Sequence, residues 1–284
     1  MSKYLIISVF LAASSVLFAQ NQQIVYANAR QIEDFFNTKT MVVMDANTIS
    51  AYNIAIVDAM EKYWTITPFE IITSEQFDNM RNNPELSFIW QPTVRLERDR
   101  QRVYYLYMSI VMGGNARNLE SMPTLLNVPL AYTGVDEEDY IEKLPLMIRF
   151  AQIHINNLRG ERNPRNMHNL SSYNRTNSGL LRNMILLVQE SDLSEEVNTL
   201  EKISAVYPGV VKIVDLDELN EAIESHAPNT AVLHQVGPAE NENSGRSYRQ
   251  IYGTEDGKLY YYNHQRIGER LPQGMLLRDF RLIR

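Results

Sequence analysis

Residues 41–89, MVVMDANTISAYNIAIVDAMEKYWTITPFEIITSEQFDNMRNNPELSFI, decide the fold. Met41-Val42-Val43-Met44 is a short, wholly apolar run closed by Asp45-Ala46-Asn47, the pattern of a strand buried on both faces. Ile54, Val57, Met60 and Trp64 follow at three- and four-residue spacing, which lines one side of a helix. Ser50 or Thr48 is placed to cap it. Pro68 closes the connection and Phe69–Ile72 reads as a second strand. Thr73 with Gln76 then has capping-box spacing, in which each side chain satisfies an orphan backbone amide. The helix so opened carries Phe77 and Met80 inward and stops at Asn82-Asn83-Pro84, and Leu86–Trp90 forms a third strand.

The pattern returns at residues 184–232. Ile54, Val57, Met60 and Trp64 find counterparts in Val197, Leu200, Ile203 and Tyr207 at one constant offset. Phe69, Ile71 and Ile72 match Val211, Ile213 and Val214 after a one-residue deletion. The cap recurs as Asp215 with Glu218, Phe77 matches Leu219, Pro84 matches Pro228, and residues 87–90 match 230–233. Apolar rhythm alone can coincide by chance, but here caps and helix stops coincide too, so the pattern indicates an internal duplication.

Strands alternating with helices imply a mostly parallel sheet. Each third strand leads on into long strands without a helix: residues 102–112 in the first unit, and 246–252 with 258–264 around a 253–257 hairpin turn in the second. The expected fold class is therefore α/β. It comprises two tandem, internally duplicated βαβαβ units with mixed sheets extended by antiparallel strands, joined by a helix and a polar linker. The divisions fall at 1–20 (signal peptide), 21–135 (first unit), 136–183 (bridge) and 184–284 (second unit). Ile32, Phe35 and Phe36 mark a short helix before the first strand. Leu144, Ile148, Ala151, Ile155 and Leu158 mark a bridging helix over about 140–159, after an acidic start at 136–139. Residues 159–183, rich in Asn, Arg and Ser, read as an exposed linker, and the apolar residues of 276–283 as a tail packed on the second unit.

Lys3, an apolar run from Tyr4 and the ending Phe18-Ala19-Gln20 make residues 1–20 a secretory signal, with cleavage expected after Ala19 or Gln20. No other segment is long and apolar enough to span a bilayer. The chain has no cysteine, which excludes disulfides, a lipoprotein anchor, thiol nucleophiles and Cys-ligated zinc. A net charge of −7 argues against general nucleic-acid affinity, which needs a basic surface. The run YNIAIVDAMEKYWTITPFEIITSEQF, residues 52–77, together with the FAQ leader ending, resembles uncharacterised secreted proteins of Bacteroidetes-type bacteria. The resemblance implies export and carries no activity.

The strand-to-helix turns, Asp45-Ala-Asn-Thr-Ile-Ser50 and Gln189-Glu-Ser-Asp-Leu-Ser194, contain no glycine, and the second puts acids where an anion would sit. These turns argue against phosphate or dinucleotide binding of the usual kind, and no cofactor is expected. The double glycine Gly113-Gly114 reads as a turn. His154, His168, His226, His234 and His264 lie too far apart in sequence for local zinc spacing, and His234 and His264 both follow strands of the second unit. No GxSxG elbow occurs, so neither catalytic nor metal-binding residues are assigned. Asp45 reads as a turn acid, as do Glu255 and Asp256. Asn169-Leu-Ser171 and Asn174-Arg-Thr176 match glycosylation acceptors of the kind an Asn-rich stretch produces by chance.

The aromatic strands are the most suggestive surface: Tyr104, Tyr105 and Tyr107 in the first unit, and Tyr260, Tyr261 and Tyr262 in the second. An exposed tyrosine row suits a protein or glycan partner; a strand buried on both faces is the structural alternative. The first functional expectation is an exported, non-catalytic envelope protein, periplasmic or at the cell surface, that binds an envelope protein or surface polymer through these rows. The alternative is a two-lobed binder that clasps a small ligand between its units, for which a cleft at the strand C-terminal ends, lined by both units, is the mark. A hydrolase comes third.

Overall fold

The computed structural model describes residues 18–20, 24–96, 103–161, 163–238 and 245–283. Residues 1–17 of the predicted leader lie outside them. Phe18–Gln20 form β1, which pairs parallel to β5 (Thr93–Leu96).

The first unit begins with α1 (Ala29–Phe35), opened by a capping box between Asn28 and Gln31 and burying Ile32 and Phe35. Then come β2 (Lys39–Val43), α2 (Ala51–Tyr63), β3 (Phe69–Ile72), α3 (Ser74–Met80) and β4 (Leu86–Trp90), followed after β5 by the long β6 (Tyr104–Met112) and β7 (Thr124–Tyr132). The Thr73/Gln76 capping box on α3 forms reciprocally. The bridge holds α4 (Glu138–Ile141), α5 (Leu144–Leu158) and the one-turn α6 (Asn174–Asn177). The second unit runs β8 (Ile185–Val188), α7 (Leu200–Ser204), β9 (Val210–Ile213), α8 (Leu216–Glu224), β10 (Thr230–Val236), β11 (Arg246–Gly253), β12 (Leu259–Arg266) and α9 (Leu277–Leu282). Asp215 caps α8 through the Glu218 amide at 2.9 Å.

The two sheets share one strand order. The first reads β3-β2-β4-β6-β7, with β5 continuing β4 along the same edge of β6; the second reads β9-β8-β10-β11-β12. In both, the three βαβαβ strands are parallel and the two added strands antiparallel. The expected fold class is thus the observed one.

Two details of the repeat differ from the sequence match. Val42 and Ile89 pack with Ile56 and Met60 of α2, whereas Leu186 and Ala231 pack with Val197, Ile203 and Tyr207, the corresponding helical side of the second unit. Val42 therefore corresponds to Leu186 and Ile89 to Ala231, one residue off the constant offset. Such a slip exchanges the two faces of a strand, and all-apolar strands give no alternation to detect it. Second, the buried side of α2 is set by Tyr52, Asn53, Ile56, Ala59 and Met60, and Ile54 is 72% exposed. Both registers are apolar; Asn53 decides between them by bonding the Asp45 and Asn47 carbonyls.

The units are not beads on a linker. One apolar core contains Val42, Ile56 and Met60 of the first unit, Phe150 and Ile155 of α5, and Leu187, Leu219, Ile223 and Val232 of the second. Sheet one turns its α2 face to this core and sheet two its α8 face, with α5 between them. The stretch read as an exposed linker is instead a covering layer that buries Leu170, Tyr173 and Leu181. Asn174 both donates to the Tyr262 carbonyl (2.9 Å) and accepts from its amide (2.8 Å), while Asn177 donates to the Leu259 carbonyl at 2.8 Å. A primary amide carries the same donor–acceptor pair as a peptide group, so an Asn-rich segment can cap the open edge of β12. Among the described residues no helix is long and apolar enough to cross a membrane.

Candidate functional site

In sheet two the chain leaves β8 for β9 on one side and enters β10 on the other, so a crevice opens beyond the C-terminal ends of β8 and β10. Open α/β sheets commonly place ligands at such a switch point. Gln189 follows β8, and Gln235 and Val236 end β10. The opposite wall is closed by the first unit, with Leu130–Tyr132 at the end of β7 and Gly134 and Val135 of the turn after it, and by the start of the bridge, with Asp136, Asp139 and Tyr140. Together they enclose a cleft of about 1330 Å³ lined by both units.

The loop after β8 is held by the chain near its C-terminus. Ser194 donates its amide to the Met275 carbonyl at 3.0 Å, and Met275 returns the bond to the Asp192 carbonyl at 2.8 Å. Gly274, at φ +85°, makes this approach possible, because a Cβ there would lie 2.9 Å from the Ser194 nitrogen. Ser194 itself is buried in the cleft lining and its hydroxyl has no hydrogen-bond partner.

Charge is the cleft's dominant property. Asp136 and Asp139 enter from the start of the bridge, and Glu190, Asp192, Glu195, Glu196 and Glu269 from the second unit; among the described residues Arg270 is the one cation in the lining. Beneath them lies Lys143, 2% exposed, which donates to the Asp139 carbonyl at 2.8 Å and to Gln189 Oε1 at 3.0 Å, tying the bridge to the end of β8. Burial pulls the Lys143 ammonium down against the pull of Asp192 and Asp139. Asp192 is pushed up to about 7, first by desolvation and further by Asp139, with Lys143 opposing. At neutral pH it is therefore divided between acid and carboxylate. Such a cleft attracts cations and repels anions, and low-dielectric walls focus its field.

The corresponding end of sheet one is filled. Glu137 accepts from the Ser50 hydroxyl at 2.8 Å and the Tyr52 amide at 3.2 Å, so a carboxylate from the bridge caps α2 where the sequence suggested Ser50 or Thr48. Asp45 makes the expected turn, accepting from the Asn47 amide at 2.7 Å.

No known protein family, curated protein or solved structure matches the chain.

The six tyrosines singled out by sequence serve mostly inside the molecule. Tyr105, Tyr107, Tyr260 and Tyr261 are buried, and Tyr104 and Tyr262 are half-buried. Tyr107 and Tyr248 share a hydroxyl–hydroxyl bond of 2.9 Å across the units, and Tyr105 donates to the Arg246 carbonyl at 3.0 Å. Tyr260 bonds Asp256 at 2.9 Å and Tyr261 bonds Asp279 at 2.6 Å. The rows alternate around strands covered on both faces, so their apolar area is spent on the interface between units and on the outer core. His234 and His264, which sequence placed in one unit, have separate duties. His234 Nε2 meets the Leu130 carbonyl at 3.0 Å, which requires that nitrogen to carry the proton, and burial lowers its pKa to about 3. His264 instead lies along the Tyr248 ring.

The cleft carboxylates were only half visible in the sequence. Glu190 and Asp192 sit in the glycine-free turn already read as hostile to anions. Asp136 and Asp139 read as a helix start, and only the packing of the bridge brings them opposite that turn.

Proposed function

We propose that the protein is a two-lobed binding protein that takes a small, positively charged, hydrogen-bonding ligand in the cleft between its units. One observation carries this reading: a cleft at the β8 and β10 C-terminal ends, lined by both units, whose charged lining is seven carboxylates against one arginine. Its volume exceeds the roughly 300–1,000 Å³ of ordinary small-molecule pockets, which suits an elongated ligand with more than one cationic group. Exposed acids on the rim supply attraction, while Gln189, Gln235 and the unpartnered Ser194 hydroxyl supply directed hydrogen bonds. Burial of the tyrosine rows weighs against the expectation of an envelope protein that binds a macromolecule through them. The leader-like residues 1–20 and the resemblance to secreted proteins support binding in the periplasm or outside the cell.

The test is a thermal-shift and calorimetric panel on the chain lacking its leader, with putrescine, spermidine, succinate and glucose as probes. The amines should stabilise the protein, spermidine most, with an affinity that weakens as salt rises. Asp136→Asn combined with Glu195→Gln should reduce that affinity about tenfold, roughly 1.4 kcal/mol. Equal or better response to succinate or glucose would overturn the reading.

A further inference from the structure

A second cavity, of about 420 Å³, lies where the first unit, the bridge and the second unit meet, and its chemistry is the reverse of the cleft's. Arg165 and Arg246 line it, and no carboxylate does among the described residues. Neither arginine is ion-paired with a described acid. The walls are aromatic: Tyr107 from the first unit faces Tyr248 and Tyr262 from the second, and His264 stacks on Tyr248 with ring centroids 5.7 Å apart and 23° between planes.

Two further side chains bring unmet hydrogen-bonding capacity. His168 is 8% exposed, stacks on Tyr26 at 4.2 Å and 14°, and has neither ring nitrogen in a hydrogen bond. The Ala27 and Leu125 carbonyls bias its protonation upward without ordinary bonding geometry, and burial outweighs them. His154, fully buried beside it, uses Nδ1 on the Tyr173 hydroxyl and leaves Nε2 unpartnered. A neutral imidazole always carries one N–H, and a buried polar group left unpaired is destabilising until something pairs with it. Built-in donors, guanidinium groups with no carboxylate partner among the described residues, and tyrosine walls together define an acceptor-rich, flat guest.

We infer that this cavity is a second binding site, for a small organic anion whose carboxylate meets Arg246 and Arg165 and whose planar body lies among Tyr107, Tyr248 and Tyr262. It is independent of the acidic cleft. The two sites have opposite charge preference, and either can exist without the other.

Calorimetric titration of the leaderless chain at low ionic strength tests it, with 4-hydroxybenzoate as the planar carboxylate, inorganic phosphate as the bare anion and spermidine as the probe of the cleft. The expected result is that 4-hydroxybenzoate binds at least tenfold tighter than phosphate. Arg246→Gln should weaken it tenfold or more while leaving spermidine binding and the thermal midpoint unchanged, and Asp136→Asn/Glu195→Gln should leave it intact. Should Arg246→Gln unfold the protein, Arg165→Gln, on an exposed side chain, makes the same test. Absence of 4-hydroxybenzoate binding, equal affinity for phosphate, or binding that survives both arginine substitutions would overturn the inference.

Discussion

Arg249 and Asp279 face each other with both side chains wholly out of solvent, Nε to Oδ2 at 3.1 Å. Tyr261 and Asn263 donate to the same carboxylate at 2.6 and 2.8 Å, and the Leu276 amide reaches its other oxygen at 3.0 Å. The pair docks α9 on the outer face of sheet two. Removing one partner strands a buried charge, so Asp279→Asn should cost about 3–5 kcal/mol in urea unfolding. Arg249→Met with Asp279→Leu should recover only part of that loss, because the Tyr261 hydroxyl and the Leu276 amide then lose their acceptor. Asp192 makes a different prediction. Its folded-state pKa of about 7 lies above the unfolded value of 3.8, so between those values the folded protein binds more protons than the unfolded chain. Asp192's contribution to stability is thus fully present below about pH 4 and is lost as pH rises through about 7. Asp192→Asn should match the parent at pH 4 and exceed it in stability at pH 8, as measured by urea midpoints. Nothing in the residue type foretells this, because a turn aspartate is ordinarily exposed; here the bridge packs against the turn and sets Asp139 and Lys143 beside it.

Elements whose signals are local were legible. Strand runs, the Thr73/Gln76 box and the helix stops rest on residues within four positions of one another, and each sits where the spacing puts it. Caps supplied from afar were not. Glu137 caps α2 from 85 residues away, and Asn174 caps the β12 edge from 88. In sequence both look like ordinary polar surface. Glu137→Ala should destabilise by about 1 kcal/mol, the usual worth of a helix cap, with loss of amide protection in the first turn of α2 on hydrogen exchange. Asn174→Ala leaves two backbone groups of Tyr262 unpaired and should cost about 1–3 kcal/mol. Asn174→Asp, which keeps the acceptor and loses the donor, should fall between parent and alanine.

At the scale of the molecule, the duplication was readable and the packing was not. Tandem units predict separate cores, whereas the structure runs one core from Val42 to Val232 through α5. Arg149 on that helix donates to the Thr254 and Glu255 carbonyls, clamping the second unit's hairpin turn. Unfolding should accordingly be a single transition, with calorimetric and van't Hoff enthalpies in agreement; two resolved transitions would contradict a shared core. The same packing builds the cleft, since neither unit encloses it alone. The most direct measurement is hydrogen–deuterium exchange of the leaderless chain with and without saturating spermidine. Protection should concentrate in 134–140, 189–196 and 235–238 at once, from both walls of the cleft. Protection confined to one unit, or appearing only elsewhere, would contradict a ligand held between the two.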